Sequence, residues 1–155
     1  LERIFTERIT INPGACTLVS TMRANGAFAA LVSGGFTFFT SRVAAAVGFD
    51  VNRANVLETD GGRLTGKVRE PILGREAKLA SLKDFSRERG IDPVLALAVG
   101  DGANDLAMIK AAGLGVAYRA KPVVAAEAHA SIVHGDLTGL LYLQGYRRDE
   151  FVSNA

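Results

Sequence analysis

The chain has 155 residues, of which 48% are apolar and 22% charged, a composition that supports a folded core. Its formal net charge of +2 is too small an excess to argue for a nucleic-acid partner, and no apolar run approaches the roughly 18 residues of a membrane span. The lone cysteine, Cys16, excludes an internal disulfide and fits a reducing cytoplasm, as a small core residue rather than a reactive thiol.

LERIFTERI at the start is charged throughout, lacks the apolar centre of a signal peptide and has no initiator Met. The chain is therefore expected to be processed or cut from something longer. Leu1 to Ile9 reads as the end of a helix, with Leu1, Ile4, Phe5 and Ile9 on one face. Asn12-Pro13-Gly14 breaks it, and a second helix runs from Ala15 to Asn25, with Gly26 after its C-cap. Ala27 to Val32 is a continuous apolar run, as in a strand buried on both faces of a parallel sheet. Ser33-Gly34-Gly35 ends it, and Phe36 to Val47 forms a helix closed by Gly48.

Val56 to Val68 carries two short strands around Asp60-Gly61-Gly62, a hairpin signal, expected as an antiparallel flap on a parallel sheet. Glu76 to Arg89 is a helix with Leu79, Leu82 and Phe85 inward, stopped by Gly90. There follow a strand at Val94 to Val99, a helix from Asn104 to Ala112, a strand at Leu114 to Ala117 and a short helix at Pro122 to His129. A last strand is expected at Ser131 to Val133, then a helix capped by Asp136 and running to Leu143, then a polar tail that frays from Gly145. Strands alternating with helices predict a doubly wound, mostly parallel α/β sheet.

Three pieces bear on chemistry. Ser33-Gly34-Gly35 lies between a buried strand and a helix, where glycine backbone, outward amides and the helix dipole can hold an anion; a plain strand-to-helix turn fits equally well. Lys78 lies near the start of its helix, on the face expected opposite Leu82 and Phe85, and a solvated surface lysine is the simpler local reading. GDGAND, Gly100 to Asp105, joins a strand to a helix, where Asp101 and Asp105 can hold a hard cation through oxygen, or merely serve the turn and the helix start. Together the three supply a hydroxyl with backbone amides, a cation and a carboxylate pair, a set suited to handling phosphoryl groups. His129 and His134 fit no metal-pair spacing, Phe36, Phe38 and Phe39 read as core, and Arg119-Ala120-Lys121-Pro122 reads as a solvated loop. A dinucleotide-binding domain is excluded because no G-x-G-x-x-G follows a first strand.

The motifs VSGGFTFFTSRVAAAVGF (Val32 to Phe49), LETDGGRLTG (Leu57 to Gly66), Lys78 and AVGDGANDLAMIKAAGLGVAYRAKP (Ala98 to Pro122) resemble those of the phosphoserine phosphatases of the haloacid dehalogenase superfamily, across nearly the whole chain. The resemblance implies a Rossmann-like sheet of that type with a small hairpin flap. It also implies a cytoplasmic, Mg²⁺-dependent hydrolase acting on O-phosphoserine in serine biosynthesis. Carried over residue by residue, Ser33 and the Gly34 amide bind the substrate phosphate, Lys78 steadies the phosphate and the nucleophile, and Asp101 coordinates Mg²⁺. Asp105 supports the metal shell or the lysine, and Asn104 touches the phosphate or its surroundings. The resemblance implies a small-molecule phosphomonoester as partner, and neither nucleic acid nor membrane.

The superfamily reaction also needs a DxDxT motif, whose first aspartate attacks phosphorus and whose second is the general acid and base. None of the eight aspartates of this chain is separated from another by one residue. The resemblance places that motif, and most of a helical cap, ahead of Leu1. Residues 1–12 are then the end of the cap or its return linker, 13–145 an incomplete core and 146–155 a tail. It also places the absent first strand between those expected at Ala27–Val32 and Val94–Val99. An upstream segment, or self-association, is expected to complete the sheet, and this chain alone is expected to be inactive. A related small-metabolite phosphatase or phosphotransferase, or a non-catalytic fragment, is the alternative.

Overall fold

The computed structural model describes residues 1–153. The expectation of a frayed tail over 146–155 falls partly on Asn154 and Ala155, which lie outside the described residues. The chain divides into two compact units, Leu1–Leu73 with the segment from Asp136 onward, and Gly74–Gly135.

The first unit opens with helix α1 (Glu2–Arg8), which has no buried residue. Helix α2 (Ala15–Ala24) starts after Gly14 at φ +81° and turns Ala15 and Val19 inward. Strand β1 (Ala30–Phe36) begins three residues later than expected, because Asp50 clips the entry: its Oδ2 accepts from Ala29 N at 2.8 Å, and its own amide donates to Ala29 O at 2.9 Å. Helix α3 (Thr37–Val47) ends at Gly48, whose φ of +94° is the left-handed stop. Val47 packs with Ala15 and Val19, and Cys16 lies against the same cluster, as a core residue should.

Strand β2 (Val51–Asn55) pairs parallel with β1 and was not expected from its polar sequence VNRAN. Strands β3 (Leu57–Asp60) and β4 (Arg63–Val68) form the expected hairpin, with Gly61 and Gly62 both at positive φ, the twist that a two-residue turn requires. The hairpin is a small two-stranded antiparallel sheet of its own.

The second unit begins with helix α4 (Ala77–Arg89), ended by Gly90 at φ +65°. The strand expected from Val94 is a 3₁₀ turn over Pro93–Leu95 followed by a shorter strand, β5 (Leu97–Gly100). Pro93 fixes the first φ and the Asp92 carboxylate accepts from Val94 N at 2.9 Å, so Val94 and Leu95 turn outward, 62% and 75% exposed. Helix α5 (Leu106–Ala111) and strand β6 (Leu114–Tyr118) follow. Helix α6 stops early (Pro122–Ala125) because His129 is taken by the sheet: its amide donates to Gly115 O at 2.9 Å and its Nδ1 accepts from Gly115 N at 2.8 Å. Strand β7 (Ala130–Ile132) completes an all-parallel sheet of order β5-β6-β7. Its core joins Ile109 of α5, Ala117 of β6 and Val124 of α6.

Returning to the first unit, helix α7 spans Gly139–Leu143. Asp136 does not cap it; its Oδ1 accepts from Thr138 N at 2.8 Å in a turn before the helix, and Thr138 is the N-cap. The tail expected to fray makes packing and hydrogen-bond contacts as far as Val152. A 3₁₀ turn at Arg148–Glu150 leads Phe151 onto the Tyr142 ring, 5.1 Å between centroids, and Val152 N donates to the buried Thr21 Oγ1 at 2.8 Å. Each unit is thus an α/β arrangement built on a parallel ladder. No helix among the described residues is long and apolar enough to cross a membrane.

Candidate functional site

In the first unit, the segment expected to follow β1 is part of it. Val32 pairs with Arg53 and Phe36 with Asn55, so Ser33, Gly34 and Gly35 occupy the space opposite Ala54 and bulge out of the ladder at the carboxyl end of β1. Ser33 is half-buried and the two glycines are exposed. Ser33 Oγ accepts from Gly35 N at 3.0 Å, which leaves its O–H free to donate to something else. The next residues open α3, whose N-cap, Phe36, has no side-chain cap, so first-turn amides point to the same end as the bulge. A bulge with a hydroxyl donor, beside an uncapped helix start, is chemically suited to an anion.

Asn55 completes this turn, and no motif or spacing announced it. The side chain is buried, 6% exposed. Its Nδ2 donates to Gly34 O at 2.9 Å and its Oδ1 accepts from Leu73 N at 2.7 Å. Its sequence neighbours give no signal, because both partners are distant in the chain.

In the second unit, the GDGAND turn is organised by Asp105, which is 1% exposed. One carboxylate oxygen, Oδ1, pairs with Lys78 Nζ. The other, Oδ2, accepts from Asp101 N and Gly102 N, each at 3.1 Å. A buried carboxylate is tolerated only when paired and hydrogen-bonded, and this one is both. Gly100 permits it: a Cβ there would lie 2.3 Å from Asp105 Cγ, so any side chain would evict the carboxylate. The α5 helix starts at Leu106 with Asp105 as its N-cap residue, two positions later than expected, because Asp105 is spent on the turn.

The expected placement of Lys78 opposite Leu82 and Phe85 is corrected here. Positions 78, 82 and 85 are spaced i, i+4, i+7 along α4 and share one face. That face explains why the Lys78 side chain is only 16% exposed and can reach Asp105. Asp101 is exposed at the carboxyl end of β5, where α/β sheets collect ligands. Asn104 is exposed, with its Oδ1 folded over Gly102.

The structure thus brings Lys78, Asp105 and the Asp101–Gly102 amides together in one unit, and Ser33, Gly34 and Asn55 together in the other. Among the described residues no three His, Cys, Asp or Glu side chains gather as a metal cage. Asp105 has both oxygens engaged within the protein, so Asp101 is the carboxylate of this turn that suits a hard cation directly.

A parallel ladder in each unit, a glycine bulge at the end of one strand and an acidic turn after another suit a protein that handles phosphoryl groups. The family model for haloacid dehalogenase-like hydrolases matches residues 1–110, and the chain belongs to that family. Within it, the chain is 46% identical over 147 residues to a phosphoserine phosphatase of Polaromonas sp., covering 92% of this chain and 62% of that protein. The crystal structure of a probable phosphoserine phosphatase from Vibrio cholerae, in unliganded form, matches with a TM-score of 0.89 and 36% identity, covering 94% of this chain and 45% of that one. A structure titled as a phospho-aspartyl intermediate analogue of phosphoserine phosphatase matches with a TM-score of 0.84 and 36% identity, over 92% of this chain and 68% of that one. The chain therefore spans less than two thirds of the length of the first two proteins.

Proposed function

We propose that this chain is the phosphate- and metal-holding part of a phosphomonoesterase that hydrolyses O-phosphoserine to serine and phosphate, a step of serine biosynthesis in the cytoplasm. The observation that carries the reading is the buried Asp105 carboxylate, which takes Lys78 on one oxygen and the Asp101 and Gly102 amides on the other. That arrangement uses a buried charge to hold a cation and the backbone that carries the Asp101 carboxylate, more than a merely structural turn needs.

Each residue then has a role. Ser33 donates its hydroxyl to a phosphate oxygen, with its own oxygen already held by Gly35 N, and the Gly34 amide adds a second donor. Lys78 has three N–H donors and commits one to Asp105; the remainder would serve the charge of a phosphate oxygen or of the attacking carboxylate. Asn104 lies at the turn's exposed edge and contacts the phosphate or its surroundings. Asp101 would hold Mg²⁺ and Asp105 would support it from behind, through the turn amides. Magnesium, when bound, supplies charge neutralisation to the phosphoryl oxygens. The donors fit a hard cation, with one protein carboxylate from this chain and the rest of the shell from outside it.

The attacking carboxylate and the acid that protonates the leaving serine oxygen are not among the eight aspartates of this chain, none of which stands one residue from another. We assign both to a DxDxT segment outside this sequence. Among the described residues β1 pairs with β2 alone and β5 with β6 alone, so each unit has a strand edge available for such a segment or for a second copy. The test is a panel of small phosphomonoesters given to the chain joined behind a DxDxT-bearing segment and cap. O-Phosphoserine is expected to show the highest kcat/KM, and Asp101→Asn to abolish the turnover that magnesium supports. Preference for another phosphoester would overturn the substrate, and an undiminished response to magnesium in Asp101→Asn would overturn the metal assignment.

A further inference from the structure

We infer that Asn55 is a positioning residue that presets the Ser33-Gly34-Gly35 bulge for an incoming phosphate group, an inference that rests on the phosphate-binding reading above. Two consecutive glycines are the freest backbone a chain can have, and an anion-binding turn made of them would lose much entropy on ordering. The geometry removes that freedom beforehand. The Gly34 carbonyl and the Gly35 amide belong to one planar peptide unit and point in opposite directions. The carbonyl end is held by Asn55 Nδ2 at 2.9 Å and the amide end by Ser33 Oγ at 3.0 Å. The plane is therefore clamped at both ends.

The clamp is anchored from behind. Asn55 sits at the end of β2, in register with Phe36, the first β1 residue back in the ladder after the bulge. Its Oδ1 accepts from Leu73 N at 2.7 Å, and its Nδ2 also lies 3.4 Å from Leu73 O. These partners fix the amide's orientation, since only the nitrogen can serve a carbonyl and only the oxygen can serve an amide. A residue 6% exposed cannot draw such partners from solvent. The clamp also settles the serine. With its oxygen accepting from a Gly35 amide that is held in place, the Ser33 hydroxyl keeps its own proton to donate to an incoming anion.

The test uses the full chain, ¹⁵N-labelled, with inorganic phosphate as the probe. Asn55→Asp keeps the acceptor for Leu73 N and replaces the donor to Gly34 O by an oxygen. Without ligand, the Gly35 amide of the unaltered chain is expected to exchange slowly, and in Asn55→Asp about tenfold faster, with the Leu73 amide unchanged. Phosphate is expected to shift the Gly34 and Gly35 resonances saturably, with an affinity about tenfold weaker in the variant. Exchange and affinity both within twofold of the unaltered chain would overturn the inference. If the variant does not fold, the unaltered chain decides: a Gly35 amide and an Asn55 side-chain amide that exchange at free-peptide rates would overturn it equally. A protected Gly35 with no phosphate response at either glycine would instead sink the phosphate reading, and this inference with it.

Discussion

A single carboxylate, Asp105, carries most of the local order of the acidic turn. Removing it strands Lys78, only 16% exposed, and leaves the Asp101 and Gly102 amides without their acceptor. Breaking a buried pair from one side costs about 3–5 kcal/mol, so Asp105→Ala is expected to lose about that much in urea unfolding. A loss under about 1 kcal/mol would mean that solvent replaces the pair and that Asp105 organises nothing. Gly100→Ala reaches the same carboxylate by sterics, since the added Cβ would fall 2.3 Å from Asp105 Cγ. Its expected cost is about 1–3 kcal/mol, and the diagnostic is an Asp101 amide that exchanges faster than in the unaltered chain. Asp101 and Asp105 stood out in the sequence through the GDGAND turn, whereas Lys78 was singled out only by the resemblance, its local sequence reading as a surface lysine. The partnership between Lys78 and Asp105 came only from the resemblance, as one of two alternatives for Asp105, and the expected helix face of Lys78 argued against it, because the partnership depends on counting Lys78 onto the same α4 face as Leu82 and Phe85. Asn55 was not legible at all: a buried amide that links Gly34 to Leu73 leaves no periodic or motif signal.

At the scale of elements, local chemistry was read well where a residue dictates the backbone and badly where partners do. Gly48, Gly90 and the Gly61-Gly62 turn have the positive φ that their positions predicted. Strand β2 escaped notice because VNRAN is mostly polar and owes its extension to pairing with β1. Val94 and Leu95 misled in the opposite sense, being apolar yet wound outward by Pro93 and Asp92. The first helix shows the same dependence on partners. With no buried residue of its own, α1 is held through Arg42 of α3, which pairs with Glu2, lies 5.9 Å from the Phe5 ring centroid and 3.7 Å from that of Phe38, and donates to Phe38 O at 2.7 Å. A cation over a ring contributes about 0.5–2 kcal/mol, so Arg42→Ala is expected to release α1. Hydrogen exchange of residues 2–8 should approach free-peptide rates while the α3 amides stay protected. Unchanged protection of residues 2–8 would mean that α1 is held by other contacts.

For the whole molecule, the central claim is a division of labour. In the proposed function this chain holds phosphate and metal, and the nucleophile comes from elsewhere. The family match and the similarity to phosphoserine phosphatases agree with the chemistry proposed for the two turns, and none of the eight aspartates here stands one residue from another. The claim is tested most directly by Mg²⁺-dependent release of phosphate from O-phosphoserine, measured with Leu1–Ala155 alone and again with a DxDxT-bearing segment and cap joined ahead of Leu1. The account predicts no turnover from the chain alone and turnover from the joined protein, lost again in Lys78→Ala. Turnover by the chain alone would contradict it, because one of its own carboxylates would then have to attack phosphorus.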